Sequence, residues 1–194
     1  GTGLETAKLH FEIEFNENVG TVEITNLKTV KTTTTSVLSS KLNKNHDELK
    51  NESIAVVDLS RETFIEHSNK LNSDTKLFDA NLYTLVSQEG KTSGIVGILD
   101  TTSPNASFAS ISAKDQDVSP YVLVNKNNEG ESTQINALKK FTVQKSKYLQ
   151  ITIVARVDNL NAEKAGIIDF KNLNTTFEVK NTEWTEYTLY VDNS

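Results

Sequence analysis

Short stretches in which apolar and polar residues alternate recur along this chain, and they predict β-strands. In the first stretch, Leu9 to Phe15, every second residue is apolar. A second alternation, Val19 to Ile24, follows the turn-forming residues Asn16-Glu17-Asn18. Because successive side chains of a strand point to opposite faces, each stretch predicts a half-buried strand. The turn between them predicts that the two strands pair as a β-hairpin.

Further apolar runs of strand length, separated by turn residues, continue to the end of the chain. Ile54–Leu59 is a short buried strand by this criterion, and Tyr148–Val157 and Trp184–Val191 are the strongest candidates. The remaining predicted strands are 76–87, 94–99, 107–111, 120–124, 138–143, 166–170 and 176–179. Many short strands with few helices predict an all-β fold, an antiparallel β-sandwich that is jelly-roll-like.

Three segments before residue 70 are expected to differ from this pattern. The Thr-rich segment Lys31–Ser40 predicts either an exposed edge strand or an extended linker. The polar segment Asn43–Asn51 is compatible with a helical turn, and Ser60 is placed to cap a short helix that runs to about Asn69. We therefore divide the chain into 1–40, the hairpin and Thr-rich segment, either separate or part of the same domain, and 41–194, the sandwich.

Composition and charge narrow the class of protein. The chain has 194 residues, 36% of them hydrophobic, which is enough apolar material for a core. Its net charge is −6 and its basic residues are scattered, so the electrostatic footprint of nucleic-acid binding is missing. No apolar run has the roughly 20 residues of a membrane-spanning helix. Without Cys, the chain has no disulfides or thiolate metal ligands.

The segment from about Ser132 to Asn193 resembles the closing half of jelly-roll modules of the carbohydrate-binding type. These modules occur in secreted glycanases and in phage tail and baseplate proteins. The resemblance rests on the strand Tyr148–Arg156, a middle strand Ala165–Phe170, and a last strand with a Trp-Thr-x-Tyr-Thr pattern at Trp184–Thr188. It covers about a third of the chain and implies a β-sandwich that binds glycans.

The resemblance also implies roles for individual residues. Trp184 matches a structural Trp that covers the core at the start of the last strand. Tyr121 and Tyr148 are then candidate rings for sugar faces, whereas Phe141 and Phe170 lie in periodic apolar patterns that favour the core. The family often holds a structural calcium ion near the chain ends, and Asp192 is the residue placed to match such a ligand.

Other candidates follow from the residue types. Asn125 and Asn127, in the polar segment Asn125–Gly130, offer amide groups to sugar hydroxyls or oxygen ligands to calcium, or belong to an ordinary solvated turn. Arg156 is placed either to bind an acidic ligand group or to pair with a carboxylate across the sheet.

No catalytic constellation is recognisable. Glu12 and Glu14 alternate with apolar residues and should face water, Glu183 and Glu186 flank a Trp, and the three histidines lack metal-ligand spacing. Nucleotide-binding and nucleophile motifs are also missing. The sequence therefore favours a protein that is not an enzyme.

Two functions from different classes are predicted. The first is a non-catalytic binding module for glycans or cell-surface polymers, located outside the cell or on a virion. The Gly1-Thr2-Gly3 start suits a processed, exported product, although removal of Met before Gly would leave the same start. The second is a structural subunit of a phage tail, virion or pilus-like surface, which self-associates by adding its N-terminal strand to a neighbour.

Overall fold

Most of the residues that the structure describes lie in β-strands. The computed structural model describes residues 6–9, 12–16, 20–26, 30–39, 42–60, 84–85, 99–100, 105–112, 121–137, 141–158 and 166–193. The strands are β1 Thr6–Leu9, β2 Glu12–Asn16, β3 Gly20–Thr25, β4 Thr33–Leu38, β5 Ile54–Asp58, β6 Thr84–Leu85, β7 Leu99–Asp100, β8 Ala106–Ser112, β9 Tyr121–Asn127, β10 Ser132–Ala137, β11 Phe141–Gln144, β12 Tyr148–Val157, β13 Ile167–Phe170, β14 Thr175–Glu178 and β15 Thr185–Asp192. The α-helix α1 spans His46–Leu49, and Lys171–Leu173 form a 3₁₀ turn.

These strands form two main sheets, as expected for an all-β sandwich. The larger sheet has eight strands in the order β4-β15-β12-β3-β9-β8-β6, and β5 pairs with β12. The smaller sheet has five strands in the order β14-β13-β2-β10-β7, and β1 pairs separately with β11. The sandwich predicted from the sequence is thus confirmed.

The long strand β12 organises the larger sheet. One edge pairs with β15 from Tyr148 to Ala155. The other edge is shared, because β5 pairs with its first half and β3 with its second half. The β5–β12 and β4–β15 pairs run parallel, so the larger sheet is mixed rather than wholly antiparallel.

The hydrophobic core lies between the two sheets. Alternation places Ile13 and Phe15 of β2 on the inner face of the smaller sheet, and Val22 and Ile24 of β3 on the inner face of the larger sheet. Leu149, Ile151 and Ile153 of β12 join them, each at most 1% exposed. Burying each such side chain contributes about 1.5–3 kcal/mol, so the inward-facing apolar positions stabilise the sandwich.

The predicted N-terminal hairpin does not form. The first alternating stretch is divided into β1 and β2, and β2 and β3 belong to different sheets. β2 lies between β10 and β13, whereas β3 lies between β9 and β12. In a hairpin both apolar faces would lie on one side of one sheet, but here they face each other across the core. The segments 1–40 and 41–194 therefore share both sheets.

The other early segments can be compared with their predictions. The Thr-rich segment forms β4, an edge strand of the larger sheet with exposed side chains from Thr33 to Ser36. The helical turn predicted near residue 46 is α1, whose first turn is capped by the side chain of Asn45 accepting from the Glu48 amide at 2.9 Å. Of the helix predicted at residues 60–69, only Ser60 is among the described residues. No helix within the described ranges is long and apolar enough to cross a membrane.

Candidate functional site

The ligand-binding residues predicted from the sequence lie on different faces of the larger sheet. Asn125 of β9 is opposite Val22, on the inner face, and Asn127 follows it on the same face. Tyr148 and Arg156 of β12 lie on the outer face. Tyr121 is the first residue of β9, and its side chain lies outside the described residues. The fold therefore does not bring Asn125 and Asn127 together with Tyr148 and Arg156 in one site.

Arg156 forms a buried ion pair across the sheet. Its Nη2 donates to the two carboxylate oxygens of Glu23 at 3.0 and 3.2 Å. The two side chains are 2% and 0% exposed. Trp184 covers the guanidinium, whose central carbon lies 4.1 Å from the ring centroid. Of the two roles considered for Arg156, the structure contains the cross-strand carboxylate pair.

Trp184 is buried, but it is not among the residues of the hydrophobic core, which the resemblance implies that it covers. It immediately precedes β15, and its ring packs on the outer-face arginine. A cation over a Trp face is attracted by the ring quadrupole, most strongly when desolvated. The Trp184 ring therefore shields the ion pair.

Asn127 fastens the two sheets to each other. Its Nδ2 donates to the carbonyl oxygen of Phe15 in the smaller sheet at 3.0 Å and to that of Glu131 at 3.2 Å. Its Oδ1 accepts from the Thr133 hydroxyl at 2.8 Å and from Asn105 Nδ2 at 3.3 Å. Two donated and two accepted hydrogen bonds use the full capacity of the amide. The hydrogen bonds of the Asn127 amide are therefore all made within the protein.

The turn after β9 is held by Glu131. Its carboxylate accepts from Asn105 Nδ2 at 3.1 Å and from the Asn128 amide at 2.8 Å. The hydrogen bond from Asn105, and then that from the Asn128 backbone, hold the pKa of Glu131 below its usual range. The solvated turn predicted at 125–130 thus begins only after Asn127, because 125–127 continue the strand.

Asn125 is buried on the inner face, and neither polar atom of its amide has a hydrogen-bond partner within the part of the chain that the structure describes. Leaving such a group buried and unpaired costs about 1–3 kcal/mol. We therefore expect an apolar residue at position 125 to be more stable than Asn125.

Tyr148 and Asp192 face each other at one end of the larger sheet. They are cross-strand partners in the β12–β15 pair. Tyr148 is buried, with Lys147 Nζ 5.8 Å from its ring centroid, and Asp192 is exposed. Within the described ranges, no group of three or more His, Asp or Glu side chains is arranged to hold a metal ion. The calcium role of Asp192 stays a prediction.

A lysine–carboxylate cluster lies at the same end. Glu52 contacts Lys44 Nζ at 3.2 Å and Lys147 Nζ at 3.6 Å. The hydrogen bond from Lys44 lowers the pKa of Glu52, and the same bond raises the pKa of Lys44. The cluster joins the segment before β5 to the start of β12.

A groove of about 480 Å³ opens between the edge strands of the two sheets, β4 and β14. Its floor is apolar and contains Val37, Phe177 and Tyr187. The Phe177 and Tyr187 rings are 5.7 Å apart and tilted by 50°. The Tyr187 hydroxyl accepts from the Lys180 amide at 3.1 Å and fixes the chain after β14. We call this feature the edge groove.

Polar side chains surround the edge groove. Thr35 of β4 is on one side, and Thr176, Glu178, Lys180 and Asn181 are on the other. The Thr176 hydroxyl donates to the Asp169 carboxylate. Asn181 is held by donation from its Nδ2 to Thr185 Oγ1 at 2.9 Å. Glu178 and Lys180 form an exposed ion pair at 3.5 Å, so their charges balance.

A smaller cavity of about 310 Å³ lies beside the buried ion pair, with Lys31, Glu183 and Trp184 in its wall. Arg156 also reaches this cavity, but its charge is already matched by Glu23. Lys31 and Glu183 contribute opposite charges. The cavity therefore has no net attraction for an acidic ligand group.

The residues of the edge groove were not among the candidates from the sequence. They come from β4, from β15 and from residues 176–181, which are far apart in the chain. Two signals point toward them: the Thr-rich segment predicts an exposed edge, and Tyr187 belongs to the Trp-Thr-x-Tyr pattern. Neither signal indicates that the two edges enclose a groove.

Comparison with known protein families, curated proteins and solved structures finds no match. The resemblance to carbohydrate-binding jelly-roll modules therefore stays a prediction.

Proposed function

We infer that the protein is a non-catalytic binding module that takes a neutral, hydroxyl-rich polymer such as a glycan in the edge groove. The observation that carries this proposal is the groove itself: an apolar floor with a few polar groups at its rim. Ligand pockets typically have a volume of about 300–1,000 Å³ and a mostly apolar lining with a few polar groups. The volume of the edge groove is about 480 Å³.

The rim chemistry favours a neutral ligand. Hydroxyl, amide, carboxylate and ammonium groups all form hydrogen bonds with sugar hydroxyls, which both donate and accept. Glu178 and Lys180 cancel each other, so the groove does not select an anion or a cation. Of the floor residues, the partly exposed Val37 offers apolar surface to the C–H face of a sugar ring, since Phe177 and Tyr187 are only 3% and 2% exposed. A binding role outside the cell or on a virion belongs to the same proposal.

The groove is less suited to hydrolysis of a glycan. Glycoside hydrolases typically place two carboxyl groups about 5–10 Å apart across the scissile bond. Among the described residues that line the groove, Glu178 is the only carboxylate. The proposal is therefore binding without turnover.

Adjacent residues of β4 allow a matched test. Thr35 lines the groove, whereas Thr34 is exposed on the opposite face of the same strand. Thr35→Trp fills the groove, and Thr34→Trp adds the same side chain outside it. Aromatic residues are well tolerated in strands. Both variants and the wild type are applied to an array of neutral, acidic and amino glycans.

We expect the wild type to bind neutral glycans and Thr35→Trp to bind them at least about tenfold more weakly, a loss of about 1.4 kcal/mol. Thr34→Trp should bind like the wild type. Binding that Thr35→Trp retains would place the ligand elsewhere. Failure of the wild type to bind any glycan at millimolar protein would refute the glycan proposal.

The alternative function, assembly through the N-terminal strand, faces a structural constraint. β2 and β3 already have a partner on both sides within their own sheets, and β1 pairs with β11. Transferring them to a neighbour would break the core of both sheets. This constraint argues against donation of β1, β2 or β3, but not against contacts through the Thr-rich strand β4, which lies at the edge of its sheet.

A further inference from the structure

Strand β4 forms an edge of the larger sheet, and its residues Thr33 to Ser36 are exposed. It pairs with β15 through six register positions and with no other described strand. Between Thr33 and Leu38 it contains no charged residue and no proline. Natural sheets block such edges with charges, proline, bulges or a covering segment, because exposed backbone groups pair with another strand.

The edge of the smaller sheet differs. β14 carries Glu178, which is followed closely by Lys180, and the hydroxyl of Thr176 is bonded to Asp169. Charges at this edge discourage pairing with another chain. The contrast between two edges on the same side of the sandwich points to β4 as the strand open to a partner.

We propose that β4 pairs with β4 of a second copy, antiparallel about a two-fold axis at Thr35. Such pairing joins the eight-stranded sheets of two copies into one continuous sheet. It goes beyond ligand binding, and it brings Thr35, which lines the edge groove, to the interface.

The sequence of β4 is complementary to itself in this register. A two-fold axis perpendicular to the sheet leaves the inner faces of both copies on the same side of the joined sheet. Each residue of β4 is therefore opposite a residue of the same face in the second copy. With the axis at Thr35, Thr35 faces its own copy, Thr34 faces Ser36, and Thr33 faces Val37. Hydroxyl-bearing pairs of this kind stabilise antiparallel strands. With the axis at Ser36, Thr34 and Thr35 would instead face Leu38 and Val37.

The predicted register supplies a matched pair of variants. Thr34 and Ser36 are exposed and lie on the outer face, away from the edge groove. In Thr34→Lys/Ser36→Lys each interface position brings two like charges together. In Thr34→Lys/Ser36→Glu the same positions bring opposite charges together. Both variants share the Thr34→Lys change, so an effect of that lysine on folding is common to them.

Sedimentation velocity on the full chain, from about 1 μM to about 1 mM, measures the association. We expect the wild type to dimerise within this range, since a single strand pair is a small interface. The double-lysine variant should raise the dimer Kd at least about tenfold, and the lysine–glutamate variant should stay within about threefold of the wild type.

Several results would overturn the proposal. A wild type that is monomeric throughout, or association that the double-lysine variant retains, removes β4 as the self-pairing strand. Loss of association in both variants, with circular dichroism spectra like the wild type, contradicts the register. Pairing with an added unrelated extended peptide, but not between copies, identifies a different occupant.

Discussion

The buried Glu23–Arg156 pair should respond to substitution as one unit. Glu23→Leu leaves the guanidinium without its carboxylate, and Arg156→Met leaves the carboxylate without the cation. Both side chains are at most 2% exposed. Removing one member of a buried pair costs about 3–5 kcal/mol. Domains are stable by only about 5–15 kcal/mol, so each single variant should lose a large part of its stability.

The double variant Glu23→Leu/Arg156→Met should be more stable than either single variant. It removes both charges together and fills the space with apolar side chains, a replacement that is often neutral or stabilising in buried pairs. Urea unfolding, followed by far-ultraviolet circular dichroism and by the emission of the single Trp, measures all four proteins. That Trp lies over Arg156, so its emission reports the site directly.

Two results would refute this reasoning. Single-variant losses below about 1 kcal/mol would match a solvated surface pair rather than a desolvated one. Losses that add in the double variant to within about 0.5 kcal/mol would show that the two side chains act independently.

Three further predictions concern the backbone, the core amides and acid stability. Gly166→Ala should destabilise the fold by several times the roughly 1–2 kcal/mol expected for Gly130→Ala. Both glycines have positive φ. They differ because a Cβ added at Gly166 would lie 2.2 Å from the Val179 carbonyl oxygen, whereas a Cβ added at Gly130 would meet nothing within 4 Å. Asn127→Leu should lower the free energy of unfolding by about 1–3 kcal/mol or more, because it leaves buried hydrogen-bond partners unpaired. Asn125→Leu should raise the free energy of unfolding, because it removes an unpaired amide. Thermal and urea unfolding measure both effects. The pKa of Glu131 is lowered in the folded protein. Its contribution to the free energy of unfolding is therefore present above the unfolded pKa of about 4.3 and is lost as the pH falls through the folded pKa. Glu131→Gln should flatten that part of the curve of stability against pH.

Each of these predictions has a result that contradicts it. Equal losses in the two glycine variants would remove the steric argument at Gly166. A stabilised Asn127→Leu would show that its hydrogen bonds contribute little. For the acid profile the control is Glu129→Gln, an exposed residue in the same turn; a profile flattened equally by both substitutions would assign the effect to net charge rather than to Glu131.

Local sequence predicts the strands well and their partners poorly. β12 has the bounds predicted from its alternation, and β15 differs by one residue at each end. Alternation depends only on which face is buried, so it does not indicate which strand lies alongside. For this reason β2 and β3 were expected to pair, although they lie in opposite sheets. β10 was missed because Ser132, Gln134 and Asn136 make its pattern polar.

The candidate site was less predictable than the fold. The carboxylate partner of Arg156 was expected as one alternative, but its identity depends on a contact between residues 133 positions apart. The edge groove depends on where the two sheets end relative to each other. That relation is set by tertiary packing, and no local motif encodes it.

The most direct test of the account is a titration of ¹⁵N-labelled protein with a neutral hexasaccharide, followed by amide chemical shifts. The edge-groove proposal predicts that the perturbed amides cluster at residues 35–37 and 176–181, with saturation in the micromolar to millimolar range. Perturbations that cluster instead at Asn125–Gly130 or around Tyr148 and Asp192, or no perturbation at millimolar sugar, would contradict it.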